Sequence, residues 1–147
     1  MPSSTRKDPI SNCRYQVEID GIIQAGFSEV IMPESMSNVI EYREGTDPLR
    51  IRKLPGLTLY SNLILKYGVT DAMALYNWRK SVEQGKMSDA RRNLAVILLD
   101  EEGNAAARWE FGAAWPCAYA APDLDAEGNE EASETLEITF ETMRRVQ

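Results

Sequence analysis

Short runs in which apolar and polar residues alternate, each ended by turn residues, recur along this chain and constrain its fold more than any other feature. Tyr15, Val17 and Ile19 alternate with Arg14, Gln16, Glu18 and Asp20, the period-two pattern of a strand with one buried face. Asp20-Gly21 follows as a tight-turn pair, and Ile22 to Val30 reads as the return strand. Val39 to Glu44 is a third strand, closed by Gly45. Leu57 to Tyr67 is a fourth, with Leu63, Leu65 and Tyr67 on one face and Asn62 and Lys66 on the other.

One segment breaks the pattern. Leu75, Trp78 and Val82 recur at helical spacing and predict a helix facing the core. Thr70 is its expected N-cap, Asp71 suits the positive end of the helix dipole, and Gly85 is the expected stop. Beyond it, Leu94 to Leu99 is an unbroken apolar run between Asn93 and Asp100, as expected of a central strand covered on both faces. The acidic turn Asp100 to Asn104 leads into Ala107 to Phe111, where Trp109 and Phe111 alternate with Arg108 and Glu110. Pro116 and Pro122 bracket a further short extended piece. Near the end, Leu136, Ile138 and Phe140 face away from Glu137, Thr139 and Glu141. Seven or eight strands and one helix predict a mainly β domain, a small closed barrel or sandwich capped by the helix. With 147 residues and no internal repeat or long linker, residues 1–147 read as a single domain, in which 1–12 form an N-terminal arm and 45–56 a protruding hairpin or loop.

Composition removes whole classes of function. The chain has no histidine, which excludes Ser-His-Asp and Cys-His nucleophile pairs and every His-containing metal site. No glycine loop of the phosphate-cradling kinds is present, and no cofactor is called for. A net charge of −7 weighs against a surface for duplex nucleic acid, which needs clustered Lys and Arg. Cys13 and Cys117 are too far apart for a CxxC motif and read as reduced core residues, with a single disulfide between them as the alternative. No run of 18 apolar residues is present to insert in a membrane, and Met1 to Asp8 is polar, which leads us to expect synthesis and folding in the cytoplasm.

Two local patterns are candidate sites. From Asp123 the acids fall at positions 1, 3, 5 and 12 with Gly128 at position 6, the oxygen-ligand spacing of an EF-hand loop. Its setting argues for a solvated acidic loop: Pro122 precedes it, a strand follows, Glu127 is long for its position, and Glu130 stands where an apolar residue packs. The second pattern lies between Gly45 and Gly56, where Arg50, Arg52 and Lys53 interleave with Ile51, Leu54 and Pro55. A solvated loop has no need of both the charges and the apolar residues, and the combination points to docking on another protein.

In order along the chain, these pieces resemble the tail-tube proteins of contractile phages and phage-like contractile injection systems. The resemblance rests on Tyr15 to Gly21, Gly26 to Val30, Ile40 to Gly45, Arg52 to Gly56, Leu63 to Thr70, Trp78, Asn93 to Asp100, Trp109 to Phe111 with Trp115-Pro116, and Glu134 to Ile138. It departs after Val30, where Ile31-Met32-Pro33 replaces a small Ser-Gly turn. The resemblance implies a structural, non-enzymatic subunit of a small β-barrel fold. Its hexameric rings would stack into a hollow inner tube within a contractile sheath, bounded by baseplate and tube-terminating proteins and carrying protein cargo or DNA. It also implies that the Glu44 to Gly56 region reaches a neighbouring subunit. We therefore expect subunit contacts at Glu44, Arg50, Ile51, Arg52, Lys53 and Leu54, facing the acids Asp123, Asp125, Glu127, Glu130 and Glu131 of a stacked copy. The alternatives are a tube-initiating paralogue at the baseplate, a monomeric acidic barrel binding calcium or a ligand, and a carboxylate hydrolase with two converging acids.

Overall fold

The computed structural model describes residues 10–11, 14–24, 26–46 and 49–147. Ten strands and two short helices follow one another as β1 (Tyr15–Ile19), β2 (Ile22–Gln24), β3 (Phe27–Ile31), β4 (Ser35–Tyr42), β5 (Arg52–Tyr60), β6 (Leu63–Gly68), α1 (Ala74–Glu83), α2 (Met87–Ala90), β7 (Arg92–Leu99), β8 (Ala105–Ala120), β9 (Ser133–Thr139) and β10 (Thr142–Arg145). Eight strands form one antiparallel sheet in the order β2-β1-β7-β8-β9-β6-β3, with β10 also paired to β8. The remaining two, β4 and β5, make a separate ribbon.

β8 is the organising element. Its first part pairs with β7 and β10, and its last part, from Trp115 to Ala120, pairs with β9. Between them the chain bends at Gly112 and Ala113, and Ala113 holds a left-handed φ of 51°. Such a backbone is uncommon for a residue with a Cβ. An added Cβ on Gly112 would collide with the Thr142 hydroxyl oxygen, so any other residue here would displace that side chain of β10. The two halves enclose one core. Val17, Ile19, Leu94, Val96 and Phe111 come from one half, and Leu63, Leu65, Leu136, Ile138 and Phe140 from the other. Trp78 of α1 and Ala90 of α2 complete it, the indole N–H donating to the Ala90 carbonyl at 2.6 Å.

Several sequence expectations hold. β7 is central, and its residues Leu94 to Ile97 are all buried, as a strand covered on both faces requires. Trp78 is buried while Leu75 and Val82 pack against the core. Gly85 ends the helix with φ +78°, its N–H donating to Val82 and that of Lys86 to Ser81.

Other expectations are corrected. There are two helices, not one: α2 spans only four residues, too few for periodicity to reveal. α1 starts at Ala74, later than Thr70 suggested; the Thr70 hydroxyl oxygen accepts the N–H of Ala72 and shapes the preceding turn. The return strand is two strands, interrupted before Phe27 by Gly26 at φ +89°. The Leu57 to Tyr67 run is likewise split between β5 and β6, and Pro116 lies inside β8 instead of bracketing a new piece. The sheet is not closed among the described residues: β2, β3 and the off-path β10 are its edges, and the Tyr15 hydroxyl, donating to the Phe27 carbonyl at 3.1 Å, spans from β1 to β3. Most of the N-terminal arm, and Cys13, lie outside the described residues; Cys117 is a free, half-buried cysteine whose thiol is pushed up by burial. No helix among the described residues is long and apolar enough to cross a membrane.

Candidate assembly interface

A two-stranded ribbon has two faces, and the pairing register assigns each side chain to one of them. In β4–β5 the partners are Met36 with Leu59, Ile40 with Leu54, and Tyr42 with Arg52 on one face. Ser35 with Tyr60, Ser37 with Thr58, Val39 with Pro55, and Glu41 with Lys53 lie on the other. A bulge between Ser37 and Val39 sets Gly56 and Leu57 against Asn38. Gly56 suits that close approach, since a Cβ would lie 3.0 Å from the Asn38 carbonyl oxygen. One face thus carries an apolar ladder of Met36, Ile40, Tyr42, Leu54, Leu57 and Leu59, interrupted by Asn38 and ended by Arg52. The polar face is marked by the Ser37 and Thr58 hydroxyls 3.3 Å apart.

The ladder is not used to build this subunit's own core. Every residue of β4 is exposed, as is β5 apart from Gly56 and Tyr60. Leu57 is 75% exposed and Met36 63%. The ribbon's root is anchored. The Ser61 N–H donates to the Glu34 carbonyl, the Glu34 N–H donates to the Ser61 hydroxyl oxygen, and the Tyr60 ring lies 5.3 Å from that of Phe140.

Of the residues expected in the contact, Arg52, Lys53 and Leu54 lie in β5, while Glu44, Arg50 and Ile51 lie in the loop between the ribbon strands. Ile51 and its neighbour Leu49 are exposed. The acidic residues Asp123, Asp125, Glu127, Glu130 and Glu131 all lie in the exposed connection from β8 to β9. Within it the Asp125 carboxylate accepts the N–H of Glu127 at 3.0 Å, and its carbonyl accepts that of Gly128 at 3.1 Å. That carboxylate is thereby committed to its own turn. Leu124 in the same loop is 85% exposed.

Among the described residues, neither Arg52 nor Lys53 forms an ion pair or hydrogen bond with an acid of that loop. β6 runs from the ribbon root, next to Ser61, to Gly68, which pairs with Ser133 at the foot of the acidic loop. Val69 donates its N–H to the Ala132 carbonyl there. The root of the ribbon and the acidic loop therefore sit at opposite ends of β6, separated by about 17 Å of strand at ~3.3 Å per residue, while Arg50, Arg52 and Lys53 lie at the other end of the ribbon from that root.

The outer face of β1, β7, β8 and β10 is different again. Arg108 donates to the carboxylates of Glu18 at 2.9 Å and Glu110 at 3.1 Å, and Arg144 donates to Glu110 at 3.3 Å. The hydrogen bonds from Arg108 and then Arg144 hold the Glu110 carboxyl below its ordinary range, and those to Glu18 and Glu110 raise Arg108. The sequence showed Arg108 and Glu110 alternating with core residues. Glu18 alternates with core residues in β1 in the same way, while Arg144, brought in from β10, carried no local signal. The apolar ladder was missed for another reason: Leu57 and Leu59 fall in the run read as one strand with Leu63 to Tyr67.

Groups of three or more acids or cysteines placed to hold a metal ion are not found among the described residues. What remains is a chain with a folded core, a self-paired charged face and an apolar ribbon without a cover. Comparison with known proteins agrees in kind. A chain of the PVC sheath–tube complex, an extracellular contractile injection system in its extended state, superposes with a TM-score of 0.86 at 22% identity, over 99% of both chains. One from the six-fold symmetrised baseplate of the anti-feeding prophage gives 0.80 at 23% identity, over 96% of this chain and 97% of that one. Hcp1 from Flavobacterium johnsoniae shares the fold more distantly, with a TM-score of 0.53 at 13% identity over 89% and 93%. No curated protein sequence matches. The family model described as T4-like virus tail tube protein gp19 matches residues 11–144, nearly the whole chain, and the chain belongs to that family.

Proposed function

We propose that this tail tube protein is the repeating subunit of the inner tube of a contractile phage tail or phage-like injection particle. Six copies form a ring, and rings stack around a lumen that carries protein cargo or DNA. The observation that carries this reading is the exposed apolar ladder of β4–β5, on a chain whose family model spans residues 11–144. An isolated hairpin is marginal in water, and a ladder of this size on a monomer is a docking surface. A neighbouring subunit covers it, with Glu44, Arg50, Ile51, Arg52, Lys53 and Leu54 as contact residues, and the open sheet edges β2 and β3 are closed in the ring by strands of adjacent copies.

The role is structural, with no covalent chemistry. The partners are further copies of this chain, the sheath protein outside, and baseplate and terminating proteins at the ends. The sheath–tube and baseplate assemblies in which the similar chains occur support these partners. Negative-stain electron microscopy of the purified protein, with its solution mass, tests the proposal. Six-fold rings and stacked tubes are expected. Single rings that never extend would reassign the chain to a tube-initiating position at the baseplate, and a strictly monomeric particle at high concentration would overturn the reading.

A further inference from the structure

β10 is bonded on one side only. It pairs with β8 from Thr142 to Arg145, and with no other strand among the described residues. Along an antiparallel strand the backbone groups of successive residues turn alternately toward and away from the partner. The Val146 N–H donates to the Arg108 carbonyl of β8 at 2.9 Å. The N–H and C=O of Arg145, and by the same alternation those of Met143, therefore point away from β8. An edge of this kind is a template for one more strand.

The side chains decide which strand fits. The edge β2 exposes Ile22 and Ile23, apolar residues suited to a permanent seam between copies. β10 is basic instead. The Arg144 side chain is 75% exposed and shares Glu110 with Arg108. Arg145 lies over the Trp109 ring at 5.5 Å and has no acid partner among the described residues. Two neighbouring bases on a free edge repel the β10 of another copy and attract an acidic guest.

We propose that β10 takes up an extended acidic segment of the surrounding sheath protein as an added strand. The inference rests on the tube reading and adds to it the place and the chemistry of the sheath contact. An edge of four residues gives a small contact per subunit, which a sheath changing length over its tube can release. Repeated on every copy, small contacts sum to a strong attachment while sheath and tube are in register.

The test is co-sedimentation of the purified sheath protein of the same particle with preassembled tubes of this chain, read as sheath bound per mass of tube. Arg145→Gln removes the charge and keeps the outward N–H. Arg145→Pro removes both, and proline is tolerated where an edge N–H faces outward. At low salt the glutamine variant should bind about threefold less sheath than the parent, and the proline variant about tenfold less than the glutamine variant. Amide exchange in the parent gives a second reading that needs no variant. Adding sheath should slow Met143 and Arg145 about tenfold or more, while Arg144, already bonded to β8, stays as it was. Equal binding by the two variants would overturn the proposal, as would unslowed exchange at Met143 and Arg145 in sheathed tubes; both leave the tube reading standing. Slow exchange at those residues in bare tubes would put another copy of this chain on the edge and overturn the proposal likewise. A chain that forms no tubes would overturn both readings.

Discussion

Trp78 shows how much one side chain decides. It is 1% exposed, its indole N–H is bonded to the Ala90 carbonyl, and the Arg92 guanidinium lies over its ring at 5.3 Å. It therefore fixes α1, α2 and the start of β7 with one residue. Trp78→Ala should cost about 3–5 kcal/mol, seen as a lower urea midpoint of the unassembled subunit. Tyr67 makes a prediction in pH. Burial, with the Glu134 charge as the smaller cause, pushes its phenol far up, and its hydroxyl lacks a hydrogen-bond partner among the described residues. A phenol raised in the fold gives stability that is whole below the unfolded value near ~10 and is lost as pH climbs toward the folded one. Tyr67→Phe should thus flatten the loss of stability above about pH 10, measured by urea titration at pH 9 and pH 11; equal losses in both proteins would refute the assignment. Trp78 was legible in the sequence because helical spacing places it in the core. Its partner Ala90 was not, because a four-residue helix leaves no period to read.

At the scale of elements, β7 was the most legible, since an apolar run covered on both faces needs no knowledge of its neighbours. The ribbon was the least legible. Alternation reports that one face of a strand is covered, not by which molecule, so Leu57 and Leu59 were read as continuous with Leu63 and Leu65. Met36 and Asn38, flanked by serines, carried little strand signal at all. The division is testable. Joining Ser35 to Tyr60 through a short glycine-containing turn should leave the thermal melt of the remaining sheet close to that of the parent while abolishing rings and tubes. A large drop in melting temperature would show that the ribbon belongs to the subunit's own fold. The bend of β8 yields a paired prediction. Gly112→Ala drives a methyl into the Thr142 hydroxyl and should cost about 1–3 kcal/mol. Thr142→Ala in the same chain removes that oxygen and should recover most of the loss, in a double-mutant cycle of denaturant midpoints.

For the whole molecule, the assembly role was legible through the ordered family resemblance, while the geometry relating the candidate patches was not. The sequence shows a basic-apolar stretch and an acidic one. Only the pairing of β6 with β9 and the anchoring at Ser61 show that the acidic loop and the root of the ribbon lie at opposite ends of β6. Assembly should also be visible in the backbone. Amides of β4 and β5 will exchange rapidly in the lone subunit and slowly in tubes, and unchanged exchange there would place the contact elsewhere.

The strand shared by both halves of the sheet has a mechanical meaning. Most two-layered β folds have a plane along which one layer can slide over the other at the expense of side-chain contacts alone. Here β8 threads both layers, hydrogen-bonded to β7 and β10 in one and to β9 in the other. Shear between them must therefore break backbone bonds along a sixteen-residue strand. A subunit built this way yields as one body or not at all. That is the property required of a brick in a rod that is loaded end-on and must not telescope.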